Sequence, residues 1–141
     1  MPRRFKKEHE VLLLPLGGST LINRRQGTLI QLQELTRITS KVAAVIDSER
    51  STASSPLPRE RQAFAEACSS IGIRAHILER RALENYFPQR AIDSALGSGH
   101  PELGEFGAHL SWAKQDNWRI SNELLEAELL NTDLGSFLQT V

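Results

Sequence analysis

Val42-Ala43-Ala44-Val45-Ile46-Asp47-Ser48-Glu49 decides how the chain is read. Five apolar residues, rich in β-branched side chains, run without a polar break and stop at two carboxylates. That is the pattern of a short buried strand that ends at a polar edge. Working outward, residues 48–58 are rich in Ser and Pro and read as a loop. Arg59 to Ser70 places Phe64, Ala67 and Cys68 at helical spacing. Ile71-Gly72-Ile73 then turns the chain into a further strand over Ala75-His76-Ile77-Leu78. On the other side, Val11-Leu12-Leu13-Leu14-Pro15-Leu16 ends at Gly17-Gly18 and reads as another buried strand. A helix follows it, with Ser19 or Thr20 as its cap and Leu21, Ile22, Leu29, Leu32 and Leu35 on its apolar side. Strand, helix, strand, helix, strand in that order predicts an α/β fold with a parallel sheet flanked by helices. The expected α/β core spans residues 9–96.

Beyond Leu78 the pattern changes. Arg81 to Tyr86 and Pro88 to Leu96 read as short helical pieces, with Pro88 suited to a first turn. Residues 97–107, with four glycines, one proline and two acids, read as a loop. From Ala108 onward a helical tail is expected (108–141), its last helix capped by Asn131 or Thr132 and carrying Leu134, Phe137 and Leu138. Trp112 and Trp118 are expected to anchor that tail by packing.

Composition limits the possibilities. The chain has 141 residues, 40% hydrophobic and 24% charged, enough for one domain with a core of its own and unlike a collagen, coiled coil or disordered chain. No apolar run approaches the ~18 residues that cross a membrane, and Pro2-Arg3-Arg4-Phe5-Lys6-Lys7 has no signal-peptide core. Cys68 is the lone cysteine, which excludes an internal disulfide and a Cys-based metal site. A soluble, cytoplasmic domain is the expectation. The net charge of zero conceals an asymmetry: residues 1–41 hold eight Lys/Arg against three Asp/Glu, and residues 42–141 nine against fourteen. A basic head suits a phosphate backbone and an acidic body suits metal ions.

Ligands of parallel sheets sit beyond the carboxyl ends of the strands. Asp47 and Glu49 stand there, and side by side if the backbone stays extended. Hard cations such as Mg²⁺ take oxygen ligands and retain several waters, so two or three carboxylates suffice. The ordinary alternatives are helix capping and solvation. Gly17-Gly18 either lets a phosphate approach backbone amides or makes a tight turn. No Walker A pattern is present. In Arg80-Arg81-Ala82-Leu83-Glu84-Asn85-Tyr86, Glu84 is either a further metal ligand near Asp47 or a first-turn helix residue, with Tyr86 in the core. The four histidines lack H-x-x-x-H spacing, Cys68 reads as a small buried hydrophobe, and Ser48 has no His at a recognisable spacing.

Ile46-Asp47-Ser48-Glu49 after an apolar strand, with Leu83-Glu84-Asn85-Tyr86-Phe87 about 35 residues later, resembles a Toprim domain, and more narrowly that of the OLD (overcoming lysogenization defect) family. Gly17-Gly18-Ser19 and the late Trp112-Ala113-Lys114 fit the same pattern, and the resemblance covers residues 9–141. It implies a Toprim-like fold and a metal-dependent DNA endonuclease. Asp47, Glu49 and Glu84 would be ligands of Mg²⁺ or Mn²⁺ in a two-metal site, and Asp47, Glu49 and Lys114 the catalytic set, with Lys114 near the scissile phosphate. It also implies DNA and an ABC-type ATPase, in cis or in trans, as partners, with phage defence as a family role. No membrane is expected, and homodimerisation is left open. The chain departs from the family in having Glu49 where Asp is usual. The family's first strand, which ends in a Glu, and its helix have no counterpart in the ten residues before Val11. The expectation is therefore a partial Toprim domain over 1–141 whose site is completed elsewhere. The alternative is a non-catalytic module that docks on an ATPase.

Overall fold

In the computed structural model, which describes residues 25–141, the chain is mixed α/β. Helix α1 (Arg25–Ile38) leads to strand β1 (Ala43–Ile46), and helix α2 (Arg59–Ser70) leads to strand β2 (Arg74–Ile77). The strands pair in parallel, with Ala43 opposite Arg74 and Ile46 opposite Ile77. A parallel pair needs a crossover, and the 48–58 loop and α2 supply it. The strand expected at 11–16, the Gly17-Gly18 turn and the Ser19 or Thr20 cap lie outside the described residues.

Leu32 of α1, Ile46 of β1, Phe64 and Cys68 of α2, and Ile73 form one core. This explains the apolar spacing of α2: its inward stripe meets the side chains that face it from β1 and α1. Cys68 is fully buried, as expected of a small hydrophobe. Gly72 ends α2 with φ 81°, and its amide donates to Ser69 O at 3.1 Å. A side chain would be strained there, so the glycine makes the turn into β2. Within β1 burial is uneven: Ile46 is buried, whereas Val45 is 39% exposed, so a strand expected to be buried throughout is partly open among the described residues.

After β2 come a 3-10 turn (Leu83–Tyr86), α3 (Gln89–Leu96), a second 3-10 turn (Lys114–Asp116), α4 (Asn117–Ser121), α5 (Glu126–Leu129) and α6 (Asp133–Thr140). Phe87, Ala91, Ile92, Trp112 and Ile120 make a second core. Leu78, Tyr86, Leu129 and Leu134 make a third, which ties the tail to β2. The tail begins later than expected, since residues 108–113 are not helical. Of the two tryptophans only Trp112 is an anchor. Its Nε1 donates to Asn117 at 2.9 Å, while Trp118 is 65% exposed because its side of α4 faces away from the core. Thr132, not Asn131, caps α6, its hydroxyl accepting the Gly135 amide at 3.0 Å. Among the described residues no helix is long and apolar enough to cross a membrane.

Candidate functional site

The two strands end at the same edge, and the segments that leave them stay zipped together. Leu78 donates its amide to Ile46 O at 2.9 Å, and Glu49 donates its own to Arg81 O at 2.9 Å. Between them the buried Ser48 hydroxyl donates to Arg80 O at 2.8 Å. Ser48 is thus spent on the backbone and holds the two strand ends in register. Arg61, in the first turn of α2, donates from Nη1 to Asp47 O at 2.7 Å.

The extended backbone that would set Asp47 and Glu49 side by side does not continue. Glu49 has φ 57°, a left-handed conformation uncommon for a side chain of this kind. The hydrogen bond that the Glu49 amide donates to Arg81 O and an ion pair from Glu49 Oε2 to Arg81 Nη2 at 3.1 Å hold it there. Strain of this kind, of order 1–3 kcal/mol, persists where surroundings over-determine it and is concentrated at functional sites.

Asp47 takes a different partner. Its Oδ1 accepts the Leu83 amide at 3.2 Å, which brings the 83–86 turn over the end of β1. Asn85 builds that turn: its Oδ1 accepts the Ala82 amide at 3.0 Å, and its Nδ2 donates to Gly104 O and Gly107 O, each at 2.9 Å. Asn85 is therefore structural, stapling the glycine loop beside the turn. Glu84 is pointed inward and 4% exposed, and its Oε1 pairs with Lys114 Nζ at 3.0 Å. Glu49, Arg81, Glu84, Asn85 and Lys114 line an open cleft of about 210 Å³, with Leu103 and Leu110 on its apolar wall.

The charges are coupled. Burial pushes the Asp47 carboxyl above its ordinary range, and the negative charge of Glu84 adds to this. The Leu83 amide and Lys114 pull the other way without cancelling it, and Glu49 raises it further. Burial also acts to raise Glu84, but its own backbone amide, Lys114 and Asn117 outweigh that and hold the carboxyl low. The hydrogen bond to Glu84 raises the Lys114 ammonium; desolvation opposes this, and the charges of Glu84, Asp47 and Glu49 reinforce it. Asp47, Glu49, Glu84 and Lys114 come from three separate segments and feel one another at one strand edge.

Among the described residues no three His, Cys, Asp or Glu side chains are gathered closely enough to form a metal cage. Mg²⁺ and Mn²⁺ do not require one: one or two carboxylates with waters and substrate phosphate are the common set. The desolvated carboxylates of Asp47 and Glu84 are donors of that kind. The cation that pairs with Glu84 is Lys114. Lys114→Met is accordingly expected to lower stability by roughly 1–2 kcal/mol. This lies between the small worth of exposed pairs and the cost of breaking a fully buried one, because Glu84 is buried and the Lys114 side chain 68% exposed. Thermal melts at neutral pH read it, and an unchanged midpoint would show that Glu84 does not depend on Lys114.

A second polar cluster was not legible in the sequence. Asp133, at the start of α6, faces His76 Nε2 at 2.7 Å, accepts the Glu79 amide at 2.9 Å, and accepts the Tyr86 hydroxyl at 2.7 Å. The His76 ring stacks on Phe137 with centroids 4.9 Å apart. Tyr86 is a core residue as expected, but its hydroxyl has a specific partner. No short motif links residues 76, 79, 86 and 133, so only folding brings them together.

These features define a mixed α/β protein with a partly desolvated acidic cleft, set with lysine and arginine, at the carboxyl edge of a parallel strand pair. Comparison with protein-family models, with curated proteins and with solved structures finds no match to this chain.

Proposed function

We propose that the cleft is the cation-dependent phosphodiester-hydrolysing site of a Toprim-like, OLD-type DNA nuclease domain. The observation that supports it is the convergence of Asp47, Glu84 and Lys114, with Glu49 beside them. These residues are separated by up to 67 positions in the chain and meet at the strand edge where α/β proteins place ligands. In this reading Asp47, which meets the Leu83 amide beside the cleft, and Glu84 would hold Mg²⁺ or Mn²⁺, and Glu49, which lines the cleft with Glu84, is tied to Arg81. A cation held there would supply activation of water and stabilisation of the leaving oxygen. Lys114 is long enough and exposed enough to turn from Glu84 toward a phosphate, where its charge meets the charge that develops on the phosphoryl oxygens. Arg81 lies on the same wall and orients a second phosphate oxygen. DNA is the substrate in this reading, and an ABC-type ATPase the partner.

Titration with Mn²⁺ by calorimetry, followed by nicking of supercoiled DNA with and without an ATPase partner, tests the proposal. Wild type is expected to bind Mn²⁺ and Glu84→Gln to bind it at least about tenfold more weakly, since a ligating carboxylate is lost. Equal binding by the two, or no binding by wild type, overturns it. Mn²⁺ binding without nicking in either setting would favour a docking module over a nuclease.

A further inference from the structure

The segment that carries Arg81 and Glu84 is held at both ends by a single carboxylate from the last helix. Asp133 Oδ2 accepts the amide of Glu79, just past β2, at 2.9 Å, and Asp133 Oδ1 accepts the hydroxyl of Tyr86, at the end of the 3-10 turn, at 2.7 Å. Between those anchors, Arg81, Ala82, Glu84 and Asn85 line the cleft. Arg81 pairs with Glu49, the Leu83 amide meets Asp47, and Glu84 meets Lys114. An aspartate in a first helical turn is ordinarily occupied by its own helix. Here Thr132 already caps α6, so the Asp133 carboxylate is left to reach across 54 and 47 residues of sequence. His76, itself stacked on Phe137 of α6, closes on the same oxygen as Glu79 and keeps the carboxylate turned toward the segment.

We propose that Asp133 is a positioning residue for the acidic cleft: by pinning residues 79 and 86 it sets where Glu84 and the Leu83 amide stand relative to Asp47, and so makes the docking of the last helix a condition of cleft geometry. This rests on reading the cleft as a cation site. It differs from that reading in assigning a role to a residue that touches neither cation nor substrate. Groups of this indirect kind change metal affinity by about 10–100-fold when altered.

The test uses the full chain, with Asp133→Asn and Tyr86→Phe as variants, and two readouts. Asn keeps one acceptor oxygen but replaces the other with an amide donor, and Phe removes a single hydroxyl, so Tyr86→Phe remains informative should Asp133→Asn fold poorly. The first readout is amide hydrogen exchange. The amides of Glu49 and Leu83, whose acceptors are Arg81 O and Asp47 Oδ1, are expected to exchange about tenfold faster in the variants. Those of Phe64 and Ala65 in α2 should stay within about twofold of wild type. The second readout is Mn²⁺ affinity, expected to weaken about tenfold. Unchanged exchange at Glu49 and Leu83 overturns the proposal, as does equal acceleration there and in α2, which would mean general support of the fold. A wild-type protein that binds no Mn²⁺ overturns the cation-site reading alone, since exchange still decides whether Asp133 holds the segment.

Discussion

Asp47→Asn is expected to unfold at a higher temperature than wild type while losing Mn²⁺ binding and any nicking activity. The two effects have one cause. Burial and the charges of Glu84 and Glu49 oppose ionisation of Asp47, so its carboxyl lies above the ordinary aspartate value in the folded chain. A carboxyl raised in this way favours folding while protonated and loses that contribution as pH rises through its folded value, because the unfolded chain releases the proton first. At neutral pH the ionised Asp47 therefore costs stability. Asparagine is nearly isosteric, keeps an oxygen for the Leu83 amide, and carries no charge to desolvate. The expected gain is roughly 0.5–2 kcal/mol, the common size for a substitution that relieves such a conflict. Melting curves between pH 4 and pH 8 read it: the difference from wild type should be largest at the upper end and shrink as the pH falls toward the folded value of Asp47. An Asp47→Asn protein less stable than wild type at pH 7, or one that binds Mn²⁺ equally well, would refute the account of this carboxylate.

Gly135→Ala is expected to destabilise the protein by about 3 kcal/mol, the upper end of overpacking costs, and to lower the melting midpoint by roughly 10 °C. Helix propensity alone points the other way, since alanine is favoured over glycine inside a helix by about 1 kcal/mol. Geometry decides against it. A Cβ at position 135 would stand 1.8 Å from Leu129 O and 2.4 Å from Leu129 C, both backbone atoms at the end of α5 that no rotamer change can move. Helix α6 would have to withdraw, taking Asp133 away from Glu79 and Tyr86. Gly27 in α1 is the matched control. A Cβ there meets nothing within 4 Å among the described residues, so Gly27→Ala should stabilise by about 0.5–1 kcal/mol. Should Gly135→Ala melt at or above wild type, the close approach of α6 to Leu129 is refuted.

The parts of the fold legible in the sequence are those with strong local periodicity. Helix α2 was expected over Arg59–Ser70 and spans those residues, and the strands around Ala43–Ile46 and Arg74–Ile77 pair in parallel as the alternation with a helix implied. Local turn chemistry placed the loops at 48–58 and 97–107 for the same reason. The tail was harder to read. Its helices are short, α5 has only four residues, and pieces of that length carry too few turns for a 3.6-residue pattern to show which side is buried. Trp118 is the case in point: a large apolar side chain in a short helix gives no sign that it will be left in solvent.

The site divides along the same line. Residue types and the position of Asp47 and Glu49 at the end of an apolar run were open to inspection, and so was the unusual Glu84-Asn85-Tyr86. Their pairings were not. The left-handed backbone at Glu49, which turns its carboxylate to Arg81, comes from hydrogen bonds made across 32 residues. Glu84 was legible as a metal ligand near Asp47 or a first-turn helix residue; that it is buried and paired with Lys114 depends on the 108–113 segment passing beside the turn.

By itself, then, the sequence determined the alternation of strands and helices and the chemical kinds of group at the strand ends, because both follow from side chains within a few residues of one another. Only the tertiary structure decided which carboxylate is desolvated, which is neutralised by a cation, and which, Asp133, reaches from the last helix to hold the others in place. Desolvation and charge coupling depend on what stands within a few ångströms in space, and at this site those neighbours lie tens of residues away along the chain.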